Sequence, residues 1–121
     1  MDRSFGDILR QARLDSGVGL RELARRIDKS AGYLSDVENG RVAPPSEGVI
    51  LDLAGALMID KKDLLQAARK VDPELSDYVA QDPEAADFLR IAKAQKFDKH
   101  DWEQLERLAK KARLGRKEGG R

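Results

Sequence analysis

The sequence predicts an all-α fold, and three observations support this. Apolar residues recur with the 3.6-residue period of amphipathic helices along most of the 121 residues, and no stretch sustains the two-residue alternation of a half-buried strand. Serine or aspartate stands before several of the periodic segments, as expected of helix N-caps. Hydrophobic residues make up 40% of the chain and charged residues 37%, which predicts a modest core surrounded by solvated helix faces.

Five helices are predicted in residues 1–70, which we expect to form one compact domain. Ser4, Ser30 and Ser46 are expected to cap the first, third and fourth helices, and Asp60 stands at the start of the fifth. Residues 40–45 contain one glycine and two prolines and are predicted to be a loop. The predicted helices cover about 4–16, 20–27, 30–39, 46–57 and 60 onward.

About three further helices are predicted in residues 71–114, as a helical extension for dimerisation or partner binding. The first covers about 73–80, and Asp82 followed by proline starts the second. The third begins at Asp98, with Asp101 as its reciprocal cap and Phe97 placed to pack on Trp102 as a hydrophobic staple. Residues 115–121 are expected to be a flexible basic tail.

Composition excludes several kinds of protein. The chain has no cysteine, so it contains neither a disulfide nor a thiolate metal site. No apolar run approaches the roughly 20 residues of a membrane span, and the first residues lack the pattern of a signal peptide. We therefore expect a cytoplasmic protein that does not contact a membrane.

No enzymatic activity, cofactor or metal is expected, because no acid–base or metal-ligating constellation is present. His100 is the only histidine, and it lies in the first turn of a helix that we expect to be exposed. The acids between Asp72 and Asp87 lack the spacing of a calcium loop. The glycines stand singly at caps and turns, unlike those of a phosphate-binding loop.

The most specific motif is LRELARRIDKSAGYLSDVENGRVAPP, at residues 20–45. Its Leu23-Ala24 pair, Leu34, and the VENG run at 37–40 resemble the phage-repressor-like (XRE/Cro/C1-type) helix-turn-helix transcriptional regulators. The later stretch ILDLAGALMIDKKDLL resembles the fourth and fifth helices of that family, so the resemblance covers about residues 4–70. It implies a sequence-specific regulator that inserts its third helix into the major groove of a double-stranded DNA operator.

The spacing of the motif suits two short helices that meet at a steep angle. Ala24 permits close approach, and Ile27, Leu34 and Val37 then hold the second helix of the pair so that its N-terminal end protrudes. Between the helices, Asp28 stands where the family often has glycine. Aspartate tolerates a left-handed backbone better than most residues, so we expect the turn to form.

The resemblance also implies which residues contact DNA. The residues expected to face the base edges are Lys29, Ser30, Ala31, Tyr33, Ser35 and Asp36. The residues expected to contact phosphate are Arg21, Arg25, Asn39 and Arg41. Ala31 and Gly32 stand where the best-known members have amide side chains, and Leu20 replaces a frequent phosphate-binding glutamine. For any single basic residue, a solvated surface charge is an equal alternative.

A homodimer is expected, because one recognition helix covers only a few base pairs and such regulators bind two half-sites. The residues expected to form the dimer contact are Phe88, Leu89, Trp102, Leu105 and Leu108. The favoured function is a homodimeric repressor. The alternative is an antitoxin or adaptor, whose C-terminal helices bind a toxin or a metallopeptidase while the N-terminal domain regulates its own operon.

The stretch FLRIAKAQKFDKHDWEQLERLAKK, at residues 88–111, is similar to the C-terminal region of radiation-response repressors. Those repressors dimerise through this region and are inactivated when a partner zinc metallopeptidase cleaves them. The similarity implies a cleavage site near Leu89–Arg90. The simpler interpretation is that the apolar residues of this stretch form a self-associating helical surface.

Overall fold

In the computed structural model, which describes residues 4–119 and the side chains of 4–112, all regular secondary structure is helical. The described residues form eight helices, so the predicted all-α class with five helices and three more is confirmed. The helices are α1 (Phe5–Asp15), α2 (Leu20–Arg26), α3 (Ala31–Glu38), α4 (Glu47–Leu57), α5 (Lys61–Ala67), α6 (Pro73–Gln81), α7 (Pro83–Ala94) and α8 (Lys99–Gly119).

The chain divides into two compact units, of which the first comprises the residues up to Asp77. In this N-terminal unit α1 packs against α3 and α5, α2 packs against α3 and α4, and α4 packs against α5. The apolar stripes of these five helices meet in one core. Its side chains are Phe5, Leu9, Leu23, Ala24, Ile27, Leu34, Val37, Ile50, Leu53, Ala54, Leu57, Leu64 and Leu65.

The starts of the helices are set by side-chain caps at the predicted positions. Ser4 Oγ accepts from the Asp7 N–H at 3.1 Å, and the Asp7 carboxylate accepts from the Ser4 N–H at 3.4 Å. Ser30 and Ser46 cap α3 and α4 through their hydroxyls, and Asp60 caps α5. Each such cap satisfies a backbone donor that would otherwise lack a partner and contributes about 1 kcal/mol.

Several helices end in a left-handed residue that is not glycine. The φ angles are 59° at Asp28, 56° at Met58, 58° at Arg69 and 57° at Lys96. In each case the next N–H turns back to the helix, as in the 2.9 Å bond from Lys29 N to Ala24 O. The left-handed conformation predicted for Asp28 is confirmed, whereas residue type did not indicate the other three ends.

The division between the units falls inside α6, between Asp77 and Tyr78, whereas the sequence places a boundary after Lys70. The start of α6 is attached to the first unit by an ion pair of 2.5 Å between Lys61 Nζ and Asp72 Oδ2. Leu75 also lines the same surface cavity as α5 residues. The assignment of separate functions to the two units stays a prediction.

The second unit, from Tyr78 onward, contains α7 and α8. Asp82 caps α7, and the Asp98 and Asp101 carboxylates each accept from the other residue's N–H at 3.0 Å. The predicted contact of Phe97 with Trp102 is confirmed, with ring centroids 5.2 Å apart. Phe88 packs edge-on against both rings, at 6.1 and 6.5 Å. We call these three side chains the aromatic cluster.

The backbone of α8 continues past Leu114 to Gly119, where the sequence predicts a frayed tail. The residues around Gly115 are good helix formers, and a single glycine inside a helix costs only about 1 kcal/mol. Residues 120 and 121 lie outside the described part of the chain. The flexibility of this segment stays a prediction.

Candidate nucleic-acid interface

The helices α2 and α3 form a helix-turn-helix pair whose angle is set by packing. Leu23 and Ala24 of α2 are buried, as is Ile27 at its C-terminal end. Leu34 and Val37 of α3 are buried as well. The small Ala24 allows the helices to approach closely, as the spacing of the motif predicts. The left-handed turn between them directs the start of α3 to the surface, where the first residues of a recognition helix must lie.

A buried carboxylate fixes the other end of α3. Glu38 is 4% exposed and accepts from Arg13 Nε at 2.7 Å, from Arg13 Nη2 at 3.0 Å and from Arg10 Nε at 3.3 Å. Arg13 also donates to the Val18 carbonyl at 3.1 Å. Its hydrogen bonds with Glu38 raise the pKa of the Arg13 guanidinium above its ordinary value. The network therefore ties the end of α3 to α1.

The sequence does not predict this network. The available signal was weak: two arginines three residues apart on α1, and an acid four residues after the buried Leu34. A buried carboxylate such as Glu38 needs a charged partner, which here lies on another helix. The sequence does not show which helices meet.

Gly6 was also missed. A Cβ built at Gly6 would lie 2.3 Å from the Glu38 carbonyl oxygen and 2.7 Å from that of Val37. The backbones of α1 and α3 therefore approach each other at a point where no side chain fits. A glycine inside a predicted amphipathic helix was the signal that could have identified this contact.

The residues expected to read bases lie in different environments. Lys29 is exposed, and Ser30 is exposed with its hydroxyl accepting from the Tyr33 N–H at 3.0 Å. Ala31 and Tyr33 pack partly against the core.

Asn39 is joined to Ser35 and to α1 through its amide. Its oxygen accepts from Arg10 Nη2 at 2.6 Å, and its nitrogen donates to the Ser35 carbonyl at 2.9 Å and to Ser35 Oγ at 3.3 Å. Because Arg10 can only donate, the orientation of the amide is fixed. The Ser35 hydroxyl accepts from Asn39 and so keeps its own proton for an acceptor.

Three of the arginines near α2 and α3 are paired with carboxylates of the same surface. Glu22 accepts from Arg25 at 2.5 and 3.2 Å and from Arg26 at 2.9 Å. The hydrogen bond from Arg25, followed by that from Arg26, lowers the pKa of the Glu22 carboxyl. Arg41 Nη1 lies 3.3 Å from Asp36 Oδ1. This surface therefore carries positive and negative side chains together, and the three arginines are held close to their carboxylate partners.

Arg21 differs from the other predicted phosphate ligands. It is exposed and makes no hydrogen bond or ion pair with the residues that the structure describes. Arg26, which the sequence analysis did not select, donates to the Ala56 carbonyl at 3.0 Å and so connects α2 to α4. Of the four predicted phosphate ligands, Arg21 is thus unpaired and Arg25 and Arg41 are in ion pairs. The fourth, Asn39, is hydrogen-bonded through its side-chain amide.

Among the side chains that the structure describes, those of residues 4–112, no group of three or more histidine or acidic residues is arranged to hold a metal ion. In the same part of the chain, no helix is both long and apolar enough to cross a membrane.

The chain belongs to the helix-turn-helix domain family, whose model matches residues 4–68. The predicted membership in the phage-repressor-like class of this family is confirmed. The similarity of the C-terminal stretch to radiation-response repressors stays a prediction.

Transcriptional regulator ClgR of Mycobacterium tuberculosis is 50% identical over 42 residues, which are 35% of this chain and 38% of ClgR. The chain thus matches less than half the length of this curated relative. Among solved structures, the clp gene regulator ClgR of Corynebacterium glutamicum is 42% identical, over 54% of this chain and 83% of that chain, with a TM-score of 0.48. The biofilm master regulator SinR in complex with DNA is 28% identical, over 50% and 97%, with a TM-score of 0.48.

Proposed function

We propose that the protein is a transcriptional regulator that binds a double-stranded DNA operator in the major groove through α3. The observation that carries this proposal is the way α3 is held: by the core, by the close approach at Gly6, and by the buried Glu38 network. A helix fixed at these points presents its outer face in one orientation, which sequence recognition requires.

Binding to DNA requires an exchange of ionic partners on this surface. Arg25 and Arg41 are held by Glu22 and Asp36 in the free protein. Near DNA these arginines can exchange exposed carboxylates for phosphates, since surface ion pairs contribute only about 0–1 kcal/mol. Arg21 needs no such exchange and is proposed as the first phosphate ligand.

A gel shift tests the proposal directly. The promoter region of the protein's own operon and a random duplex of equal length are compared at rising salt concentration. We expect preferential retention of the promoter, and retention that weakens with salt as counterion release requires. Equal retention of both duplexes would contradict the proposal.

The variant Arg21→Ala refines this test. Loss of a phosphate ligand should weaken binding to all sequences by a similar factor and make the salt dependence shallower. Arg69→Ala, which removes an exposed arginine at the end of α5, is the matched control and should leave both properties unchanged.

We further propose that the protein acts as a homodimeric repressor, with the C-terminal unit as the dimer contact. Phe88, Leu89 and Trp102 are each 41–42% exposed, Leu108 is 61% exposed, and Leu105 is partly buried. These side chains lie on α7 and α8, and two of them, Phe88 and Trp102, belong to the aromatic cluster. A second copy would cover them and would place two recognition helices on two half-sites.

The exposed apolar side chains also fit the adaptor alternative, in which a toxin or metallopeptidase covers them. The mass of the purified protein in solution distinguishes the two proposals. A dimer of twice 13.5 kDa supports self-association, and a monomer that co-purifies with a second protein when expressed from its operon supports the adaptor. The proposed cleavage site, Leu89–Arg90, lies inside α7, so cleavage there would first require local unwinding.

A further inference from the structure

One stripe of α3 faces directly away from the core. A helix advances about 100° per residue, so Asp36 lies about 200° from both Leu34 and Glu38, which are buried. Gly32 and Asn39 share this outward stripe, one turn before and one turn after. Gly32 has no side chain, and the amide of Asn39 is already bonded at both ends.

The remaining predicted base readers on α3 are less suited to reach a base. Ala31 and Tyr33 pack partly against the core, and the Ser30 hydroxyl is used as the cap. Ser35 is short and lies to one side, against Asn39. Asp36 is therefore the longest outward side chain of α3, with 43% of its side chain exposed.

We propose that Asp36 reads one base pair of each half-site and selects cytosine. This inference rests on the proposed function and specifies which base α3 recognises in the operator. A carboxylate only accepts hydrogen bonds, so it needs a donor on the base edge. Close to phosphates it is otherwise repelled, so any base without a donor is penalised twice.

The chemistry of the major groove separates the four bases. Guanine shows two acceptors there and thymine shows an acceptor and a methyl group, so neither offers a donor to Asp36. Adenine has an amino group, but its N7 acceptor lies beside it and would face the second carboxylate oxygen. The cytosine N4 amino group has an acceptor on one side only, the O6 of the paired guanine, whereas the adenine amino group lies between its own N7 and the thymine O4. Cytosine is therefore the best match.

Arg41 completes the arrangement. Its guanidinium lies 3.3 Å from Asp36 Oδ1 and is 66% exposed. When Asp36 turns to cytosine, Arg41 can move to a neighbouring phosphate and neutralise its charge.

Selection of binding sites from a random duplex library tests this inference. The wild type should select cytosine at one position of each half-site. Asp36→Asn should instead select adenine there, because an amide both donates to N7 and accepts from N6. The control Asp52→Asn removes the same charge from α4 and should keep cytosine. On a fixed operator, replacing that cytosine should weaken wild-type binding about 10-fold and should affect Asp36→Asn much less.

Two results would overturn the inference. If Asp36→Asn selects the same site as the wild type and binds every duplex more tightly, Asp36 only repels DNA. If the selected site has no cytosine at a symmetric position, Asp36 does not read it. A wild type that selects no site at all contradicts the proposed function itself, and the two failures are thus distinguishable. Circular dichroism of the variants verifies that α3 remains folded.

Discussion

At the scale of single residues, the Asn39 amide is bonded on both sides in the free protein. Its oxygen accepts from Arg10 and its nitrogen donates to Ser35, so donation to a phosphate would have to break one of the bonds to Ser35. We propose that Asn39 positions Ser35, and the phosphate contact that the family resemblance implies stays a prediction.

A double-mutant cycle separates the two roles. If Asn39 acts by positioning Ser35, Ser35→Ala, Asn39→Ala and the double variant should lose similar operator affinity, so that the effects do not add. An independent phosphate contact would give additive losses. The control cycle pairs Asn39→Ala with Arg21→Ala, where additivity is expected in either case. Operator affinity measured by fluorescence anisotropy provides the data.

The pKa of Glu22 leads to a pH prediction. The hydrogen bonds from Arg25 and Arg26 lower this pKa in the folded protein, so the ionised carboxyl stabilises α2. The stabilisation is complete above the unfolded pKa and is lost as the pH falls through the lower, folded value. Carboxyl NMR titration should show a depressed pKa that returns toward its ordinary value in Arg25→Ala. Arg41→Ala, whose side chain pairs elsewhere, should leave the titration of Glu22 unchanged.

Met58 ends α4 with a φ of 56° and is 92% exposed. Its side chain makes little contact that could offset the cost of a left-handed backbone. We expect Met58→Gly to stabilise the protein by about 0.5–1 kcal/mol, as measured by chemical denaturation. Gly40→Ala makes the opposite change at a φ of 73° and should destabilise by a similar amount. Unchanged stability in both variants would show that these turns are not strained.

At the scale of helices, the close approach of α1 and α3 explains why Gly6 stands in a helix interior. Alanine is the better helix former by about 1 kcal/mol, yet a methyl group there would overlap two carbonyl oxygens of α3. Separation of the helices would also stretch the bonds of Glu38. The buried ion pair and the contact at Gly6 are thus parts of one interface.

Gly6→Ala should therefore lower the free energy of unfolding by about 2–3 kcal/mol, because the backbones must move apart. Gly55→Ala is the control: it lies in α4 with open space around its Cβ position, and its better helix propensity should stabilise the protein. Thermal and chemical denaturation of both variants measure the difference. A Gly6→Ala protein as stable as the wild type would mean that the approach relaxes at little cost.

The helix starts were predictable from sequence because a cap is local chemistry, as at Ser4 and Asp98. The ends at Met58 and Lys96 were not, because methionine and lysine do not favour a left-handed backbone and so give no local signal there. The same holds for the candidate site. Its scaffold followed from apolar spacing, whereas the bonds of Glu38 and Asn39 depend on α1, whose position the sequence does not reveal.

At the scale of the whole molecule, the two units differ in how completely they bury their apolar residues. The N-terminal unit encloses a core of thirteen buried side chains. The helices after Tyr78 leave Phe88, Ile91, Trp102 and Leu108 each at least 41% exposed. Exposed apolar residues at this density are typical of surfaces that another chain covers.

Leu108→Glu tests the proposed dimer, since 61% exposure lets the monomer accept a charge that an apolar interface would not. We expect a shift from dimer to monomer in analytical ultracentrifugation and weaker binding to a two-half-site operator. Gln66→Glu introduces the same charge on an exposed position of α5 and should leave the mass unchanged. Persistence of the dimer in Leu108→Glu would place the contact elsewhere.

The tryptophan of the aromatic cluster also provides an intrinsic fluorescence signal. Trp102 is the only tryptophan of the chain, and it lies in the unit that begins at Tyr78. Indole emission therefore follows that unit alone, whereas far-ultraviolet dichroism follows the helices of both. Denaturation curves from the two signals will coincide if the units unfold as one cooperative body and will separate if each unfolds by itself.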